Sequence, residues 1–198
     1  MPAGRRAQMM KETRAKLIQA ARTAFAELGY AEASMDDLTE AAGLTRGALY
    51  HNFGGKKGLL AAVVEQLDAE MVAKASAARD VADTPWLGFL AEGVAYIELA
   101  LEPEIQRIML RDGPAVLGDP SRWPGQSACL RTTTVTIQAM IDAGTVRPVD
   151  AEAAARLING AALNAALWVA ASDEPRIVLP KAVEAFRCLA SGLLGAGA

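Results

Sequence analysis

The side chains with the clearest chemistry lie between Gly43 and Leu60. This stretch contains Arg46, Lys56 and Lys57 and no acidic residue. Cations that cluster without neighbouring acids attract phosphate, because local charge governs that interaction more than the charge of the whole chain does. The stretch is therefore predicted to form a surface that faces phosphate.

Two short helices joined by a glycine turn would position these side chains. Ser34 is placed to cap a helix over 35–42, and Gly43 stands where such a helix needs a left-handed last residue. Thr45 then caps a second short helix over 46–52, which carries the charged and aromatic residues on its first turns. A helix, a glycine-containing turn and a second helix form the arrangement that presents the second helix to the DNA major groove.

The rest of the chain is predicted to be helical as well. Hydrophobic residues make up 52% of the sequence and aromatic residues only 5%, with abundant alanine, which suits close-packed helices. Residues 1–10 are expected to form a mobile arm, whose Arg5 and Arg6 offer minor-groove contact as an alternative. Leu17, Phe25 and Leu28 fall on one face of the first helix. The expected long helices are 11–28, 56–78, 85–101, 127–143, 150–171 and 180–194.

Prolines and β-branched residues leave two regions less regular. Pro103 is expected to start a short helix to about Leu110, and the segment 113–125 is expected to be an irregular connection. The run Thr132–Ile137 (TTTVTI) resembles a strand locally, because β-branched side chains lose rotamer freedom in helices. The helical periodicity persists on both sides of this run, so it is assigned to a helix.

Charge and residue counts exclude several classes of protein. Residues 1–60 carry nine Lys/Arg against six Asp/Glu, whereas residues 61–198 carry eleven against seventeen. Cys129 and Cys188 are far apart and His51 is the single histidine, so no zinc site and no Ser–His–Asp triad is expected. The apolar stretch 157–171 is interrupted by asparagines and is predicted to be too short to span a membrane. We expect a cytoplasmic protein that is not an enzyme and has no metal, cofactor or membrane partner.

Residues 13–60 resemble the TetR family of bacterial transcriptional regulators. The segments TRAKLIQAARTAFAELGY and ASMDDLTEAAGLTRGALYHNFGGKKGLL carry the resemblance, since the first helix, its Gly-Tyr stop, the Ala-Gly turn and the Leu-Tyr-His segment follow one another at the family's spacing. The segment Arg107–Pro120 (RIMLRDGPAVLGDP) resembles one subgroup less specifically. Two positions depart from the family pattern: Gly55 replaces a hydroxyl or amide side chain, and Lys57 replaces an acid.

The resemblance implies an all-α protein with two domains. Residues 1–56 would form a three-helix helix-turn-helix domain that binds DNA, and residues 57–198 a helical domain for effector binding and dimerisation. A homodimer would bind a pseudo-palindromic DNA operator, most simply as a repressor, and a small molecule would release it. Two alternatives remain open: a constitutive DNA-binding regulator without an effector, and a helical enzyme that binds small molecules.

The same resemblance assigns residues to DNA contact. Arg46 is the candidate for reading a base, Ala48 for touching a thymine methyl group, and Lys56 for holding a phosphate. The complete set of expected DNA-contacting residues is Ser34, Thr45, Arg46, Gly47, Ala48, Tyr50, His51 and Lys56.

The second half of the chain contains candidates for a hydrophobic or aromatic effector. A ligand cavity in a helical domain needs apolar and aromatic walls with a few polar groups. The residues proposed to line it are Trp86, Phe89, Tyr96, Met109, Met140, Asn164 and Trp168. The last two helices carry many small residues, so we expect them to pair with their symmetry mates in a four-helix interface.

Overall fold

The computed structural model describes residues 2–195, and within that range the chain is all-α, as predicted. An antiparallel bridge between Val146 and Leu194 is the single isolated β-contact found there. The α-helices are α1 (Pro2–Glu27), α2 (Met35–Ala41), α3 (Arg46–Phe53), α4 (Lys56–Asp80), α5 (Pro85–Glu98), α6 (Gly113–Leu117), α7 (Pro124–Asp142), α8 (Ala151–Ala171) and α9 (Pro175–Ser191).

Helices α1 to α3 share a small core that fixes their mutual orientation. Leu17 and Phe25 of α1, Leu38 of α2 and Leu49 of α3 are fully buried. Leu28 was predicted to join this face, but it is exposed. The reason is that α1 ends at Glu27, and Gly29 turns the chain with a φ of +86°.

The first helix begins earlier than the sequence indicated. A mobile arm was predicted for residues 1–10, whereas α1 starts at Pro2. Nothing between Arg5 and Lys11 breaks a helix, and the Gln8 amide donates to the Glu12 carboxylate one turn later at 3.0 Å. Arg5 is exposed, and the side chain of Arg6 lies outside the described residues.

Helix α4 connects the two halves of the chain, and the apolar face predicted for it is buried. Leu60, Val63, Leu67 and Met71 are buried along that face. The helix packs against α1 and α3 near its start and against α5 further along. A displacement of α4 is therefore transmitted to both groups of helices.

The segment predicted to be a short helix followed by an irregular connection is helical through Leu117, and the irregular connection is limited to residues 118–123, which include a 3₁₀ turn at Pro120–Arg122. A π-helical segment covers Ile105–Asp112 and leads directly into α6, where Gly113 donates its N–H to the carbonyl of Ile108, five residues back. A proline ring in an α-helix clashes with the carbonyl four residues earlier. The wider π-turn before Pro114 relieves that clash, which sequence periodicity did not reveal.

Helix α7 contains the strand-like TTTVTI run, and its helical assignment is confirmed. The hydroxyls of Thr133, Thr134 and Thr136 donate to the carbonyls four residues earlier, at 2.8–3.0 Å. This back-bonding satisfies the hydroxyls inside the helix. The helix also begins at Pro124, three residues before the predicted start.

Helix α8 has the bounds predicted from the sequence, whereas α9 begins five residues and ends three residues earlier than expected. Asp150 caps α8 by accepting from the N–H of Ala153 at 2.7 Å, as predicted, and the helix then continues for 21 residues. The whole helix Ala151–Ala171, unlike the shorter stretch 157–171, is long and apolar enough to cross a membrane by length and composition only, a test that apolar core helices also pass. Helix α9 begins at Pro175 rather than Pro180, because Pro175 fits the first helical position and Pro180 removes a single hydrogen bond near the start.

Candidate nucleic-acid interface and central cavity

One face of α3 is exposed to solvent and carries four of the predicted DNA-contacting residues. Leu49 anchors the opposite face in the core, fully buried. The exposed residues recur at spacings of one, three and one along the helix, which places them side by side. They are Arg46, Gly47, Tyr50 and His51.

Capping residues fix the ends of the two short helices. The Ser34 hydroxyl accepts from the N–H of Asp37 at 3.1 Å, and the Thr45 hydroxyl accepts from the N–H of Ala48 at 3.2 Å. Gly43 turns between the helices with a φ of +63°. The caps predicted from the sequence therefore fix where α2 and α3 begin, and the turn at Gly43 fixes the angle between the two helices. Ser34 and Thr45 themselves are exposed, and Ala48 is half-buried.

The guanidinium of Arg46 is already engaged by a neighbouring side chain. Its Nε and Nη2 atoms donate to both carboxylate oxygens of Asp36, the second residue of α2. This two-point contact raises the pKa of Arg46 through hydrogen bonding and charge. The pair lies in solvent, so a stronger anion or a base edge is able to displace it.

Lys56 is held against the protein rather than extended into solvent. Its Nζ donates to the carbonyl of Ala31 at 3.1 Å and lies 4.5 Å from the centre of the Tyr30 ring. Burial lowers the pKa of Lys56, although the nearby Glu32 opposes this effect. Gly55 precedes Lys56 with a φ of +135° and provides no side-chain cap for α4. The sequence predicted this missing cap, because Gly55 replaces a hydroxyl or amide side chain of the family pattern.

A large cavity lies between α4, α5, α7 and α8, and its lining extends to Arg14 of α1 and Phe53 of α3. Its volume is about 1050 Å³, which exceeds the space that one small side chain would leave empty. Phe89 and Tyr96 of the predicted lining residues contribute to its wall, together with Trp123 and the threonines of α7. Such a volume accommodates a drug-sized molecule.

Five predicted lining residues lie outside this wall. Met109 and Met140 are buried between helices, and Trp86 packs beside Phe89 with ring centres 5.7 Å apart. Asn164 and Trp168 point outward, because α8 turns Ile158, Asn159 and Ala162 towards the cavity instead. The sequence located the helices correctly but not the rotation of α8 about its own axis.

Sequence reasoning missed Asp68, the most unusual polar residue of the wall. It is only 7% exposed, and its carboxylate accepts one hydrogen bond, from the Gln126 amide at 3.4 Å. Burial raises the pKa of Asp68, and burial together with this carboxylate raises the pKa of Tyr96. The sequence contains a signal for the burial of Asp68, because this residue falls between Val64 and Met71 on the buried face of α4.

Cys129 and Asn159 form a second polar group on the wall. The Asn159 amide lies 3.6 Å from Cys129 Sγ and 3.2 Å from the Thr133 hydroxyl. Burial raises the pKa of the Cys129 thiol, which therefore stays protonated at neutral pH. This thiol acts as a small packing group with weak hydrogen-bonding capacity.

Polar contacts join the two halves of the chain beside α4. Arg22 of α1 donates to Glu104 at 2.6 Å and to Glu70 of α4 at 2.7 Å. Asp112, the last residue of the π-helical segment, accepts from the N–H of Tyr30 at 2.7 Å. The cavity-bearing helices are thus tied to the first three helices at several points.

Two family models match the chain, and together they cover both halves. Residues 17–63 match the bacterial regulatory proteins of the tetR family, and residues 86–193 match the tetracyclin repressor-like C-terminal domain. The second match alone covers more than half of the 198 residues.

Similar proteins of known name are bacterial regulators. The chain is 36% identical over 102 residues to the HTH-type transcriptional regulator TtgR of Pseudomonas putida, covering 50% of this chain and 48% of that protein. It therefore spans about half the length of this curated relative. It is 29% identical over 136 residues to the HTH-type transcriptional repressor AcnR of Corynebacterium glutamicum, covering 68% and 69%.

A solved structure matches over almost the whole chain. The TetR-family transcriptional regulator from Pectobacterium atrosepticum is 50% identical, with a TM-score of 0.87 over 94% of this chain and 96% of that one. With the two family models, this similarity assigns the chain without ambiguity. It belongs to the TetR family of bacterial transcriptional regulators.

Proposed function

We propose that the chain is a dimeric, cytoplasmic repressor that binds a pseudo-palindromic DNA operator and leaves it when a small molecule fills the central cavity. One observation carries the proposal: helix α4 packs against the solvent-facing recognition helix near its start and lines a cavity of about 1050 Å³ further along. The named repressor among the relatives supports repression as the sign of regulation.

The DNA contacts follow from the exposed face of α3. Arg46 would read a guanine edge after exchanging its Asp36 partner, and the methyl group of Ala48 would meet a thymine. Tyr50 and His51, with the caps Ser34 and Thr45, would bond phosphates and fix the register. Gly47 permits close approach of the backbone. Lys56 would reach a phosphate only by leaving the Ala31 carbonyl.

The dimer interface is proposed to lie on α8 and α9. The outward face of α8 carries Leu157, Gly160, Asn164 and Trp168, at spacings of three, four and four residues. Leu157 is 74% exposed and Trp168 49% exposed. Large apolar side chains exposed on one helix face are typical of an interface, and pairing with a second copy would cover them. Its burial in a dimer also accounts for the apolar character of α8 without a membrane.

The cavity favours an effector over constitutive DNA binding. A filled core would leave no space between α4, α5, α7 and α8, whereas the cavity between these helices accommodates a ligand of many atoms. An effector shifts the equilibrium only if it binds the released state more tightly than the DNA-bound state. A ligand that moves α4 meets this condition, because α4 also packs against α3.

The division of labour is proposed to follow the two groups of helices. Residues 1–56 would contact DNA and residues 57–198 would bind the effector and the second protomer. Helix α4 begins at this boundary and contributes buried residues to both groups. It is therefore shared, and the boundary marks function rather than independent folding.

Two linked measurements test the proposal. Selection of bound DNA from a random pool should recover a pseudo-palindrome whose half-sites lie about 34–36 Å apart, one duplex turn. A thermal-shift screen of small hydrophobic and aromatic compounds should then find ligands that raise the melting temperature and release this DNA. Selection of sequences without two half-sites, or ligands that stabilise the protein without affecting DNA binding, would contradict the proposed switch.

A further inference from the structure

The acidic side chain of Asp68 is unusual for a cavity with largely apolar walls. Among the described residues, no Lys, Arg or His nitrogen lies within 4.0 Å of its carboxylate. Its one hydrogen bond, from Gln126, is long at 3.4 Å. A buried carboxylate that lacks a cation is costly, so a partner that supplies positive charge would be bound strongly.

The positive groups around the cavity are already occupied. Arg79 donates to the Glu92 carboxylate at 3.1 Å and to Asp80 at 3.1 Å. Arg14 lies over the Phe53 ring at 4.4 Å and donates to a backbone carbonyl at 2.7 Å. Both arginines are held by contacts of their own, and neither neutralises Asp68.

The start of α7 offers only a partial positive charge. A Cβ at Gly125 would lie 1.7 Å from Asp68 Oδ2, so the carboxylate rests directly against the backbone of the first helical turn. A helix N-terminus corresponds to about half an elementary charge. Pro124 also has no N–H to donate, and the N–H of Gln126 donates to the Trp123 carbonyl instead.

Aromatic side chains line the same cavity as Asp68. Tyr96, Trp123 and Phe89 all contribute to the cavity surface, and the carboxylate is close enough to Tyr96 to affect its pKa. Faces of Trp, Tyr and Phe attract organic cations as well as apolar groups. An isolated carboxylate with aromatic neighbours is the pairing that recognises an ammonium group on an apolar body.

Building on the proposed effector cavity, we infer that the ligand is a lipophilic organic cation whose protonated amine pairs with Asp68. The apolar part of the ligand fills the space between α5, α7 and α8. Tyr96 and Trp123 contact the ligand beside the charged group. Asp68 thereby determines specificity for a positively charged ligand over a neutral one of the same shape.

Three probes of equal skeleton test the charge preference on the full-length chain by isothermal calorimetry. These are 3,3-diphenylpropylamine, the neutral 3,3-diphenylpropan-1-ol and the anionic 3,3-diphenylpropanoate. We expect the amine to bind at least tenfold more tightly than the alcohol, and the propanoate to bind most weakly. This comparison uses the unaltered protein, so it does not depend on the folding of any variant.

Substitutions then assign the preference to one residue. Asp68→Asn keeps the shape and the acceptor for Gln126 but removes the charge, and should reduce the amine advantage to threefold or less while the alcohol still binds. The matched control is Glu65→Gln, which removes an exposed carboxylate of the same helix at the cavity rim and should retain the tenfold preference.

The possible outcomes separate this inference from the proposed function. Equal binding of amine and alcohol, or an unchanged preference in Asp68→Asn, would overturn the inference while leaving the effector cavity in place. Failure of all three probes to bind would overturn the inference and count against the cavity's role. A gel shift with the selected operator tests DNA binding independently of either result.

Discussion

Arg46 has two competing partners, because the guanidinium proposed to read a base is held by Asp36 in the free protein. Asp36→Asn removes that competitor. We expect its affinity for the selected operator to exceed that of Asp37→Asn at least threefold. Asp37 is the matched control, since it removes an equal charge from the same helical turn. Gel-shift titrations measure both, and weaker binding by Asp36→Asn would mean that the pair orients Arg46 for readout.

Base reading and phosphate holding predict different mutant behaviour. Arg46→Ala should weaken the selected operator by roughly ten- to a hundredfold and affect a scrambled sequence much less. Lys56→Ala should weaken binding to both DNAs alike. It should also reduce the slope of log affinity against log salt concentration by about one. Equal losses for both variants on both DNAs would contradict this division of roles.

Asp68 should lower the stability of the free protein at neutral pH. Burial raises the pKa of Asp68 in the folded state above its pKa in the unfolded state. At pH values between these two pKa values the folded state binds more protons than the unfolded state. The free energy of unfolding therefore falls as the pH rises through this range. Asp68→Asn should therefore be more stable than the unaltered chain at pH 7.5, with the advantage shrinking towards pH 4. Urea unfolding at fixed protomer concentration measures this. A less stable variant at pH 7.5 would mean that the start of α7 compensates the charge.

Sequence reasoning at the residue scale succeeded where local chemistry decides. The caps Ser34, Thr45 and Asp150 follow from their own side chains and the backbone beside them, and all three accept the predicted hydrogen bonds. The cavity wall depends on how helices rotate against one another, and local patterns show only which residues share a buried face, as Asp68 does on α4. Phe89 and Tyr96 were identified, whereas the polar residue Asp68 was not.

Among the helices, the junction of α3 and α4 has the least room for change. A Cβ at Gly58 would lie 1.9 Å from the Phe53 carbonyl oxygen, so Gly58→Ala must push the two helices apart. We expect a loss of about 1–3 kcal/mol in the free energy of unfolding, the usual cost of overpacking. Gly47→Ala is the control: its nearest neighbour would be 3.7 Å away, and helix propensity should stabilise it by about 0.5–1 kcal/mol.

Urea unfolding and gel shifts together distinguish the effects of these two glycine variants. Gly58→Ala should reduce DNA affinity through a displaced α3, whereas Gly47→Ala should do so only through its added methyl group at the DNA. Unchanged stability in Gly58→Ala would mean that the junction relaxes without cost.

Helix boundaries were predictable where propensity and capping agree, and failed at Pro114 and Pro180. Pro103, Pro114 and Pro180 were read as breaks or starts, yet two of them lie inside helical segments. A proline is tolerated where its missing hydrogen bond falls near a helix start or where a π-turn widens the backbone. These compensations depend on neighbouring turns and are invisible to periodicity.

At the scale of the whole molecule, the dimer proposal predicts a change in mass. Leu157→Asp would place a charge in the middle of the proposed interface and should convert the dimer to a monomer, with loss of operator binding. Val81→Asp is the control, because this residue is equally exposed but follows the end of α4. Sedimentation equilibrium measures both, and a dimer that persists in Leu157→Asp would move the interface elsewhere.

Helix α4 also has a mechanical consequence. About 12 residues separate Lys56 from Asp68, which at 1.5 Å per residue makes a lever arm of about 18 Å. A tilt of about 5° at the cavity would displace the DNA-proximal end by about 1.6 Å, and two protomers moving apart would double it to about 3 Å. Measured against a groove spacing of about 34 Å, that change shifts both recognition helices out of phase with the duplex. A ligand that tilts α4 by this amount would thereby change the separation of the two recognition helices and misalign them on DNA.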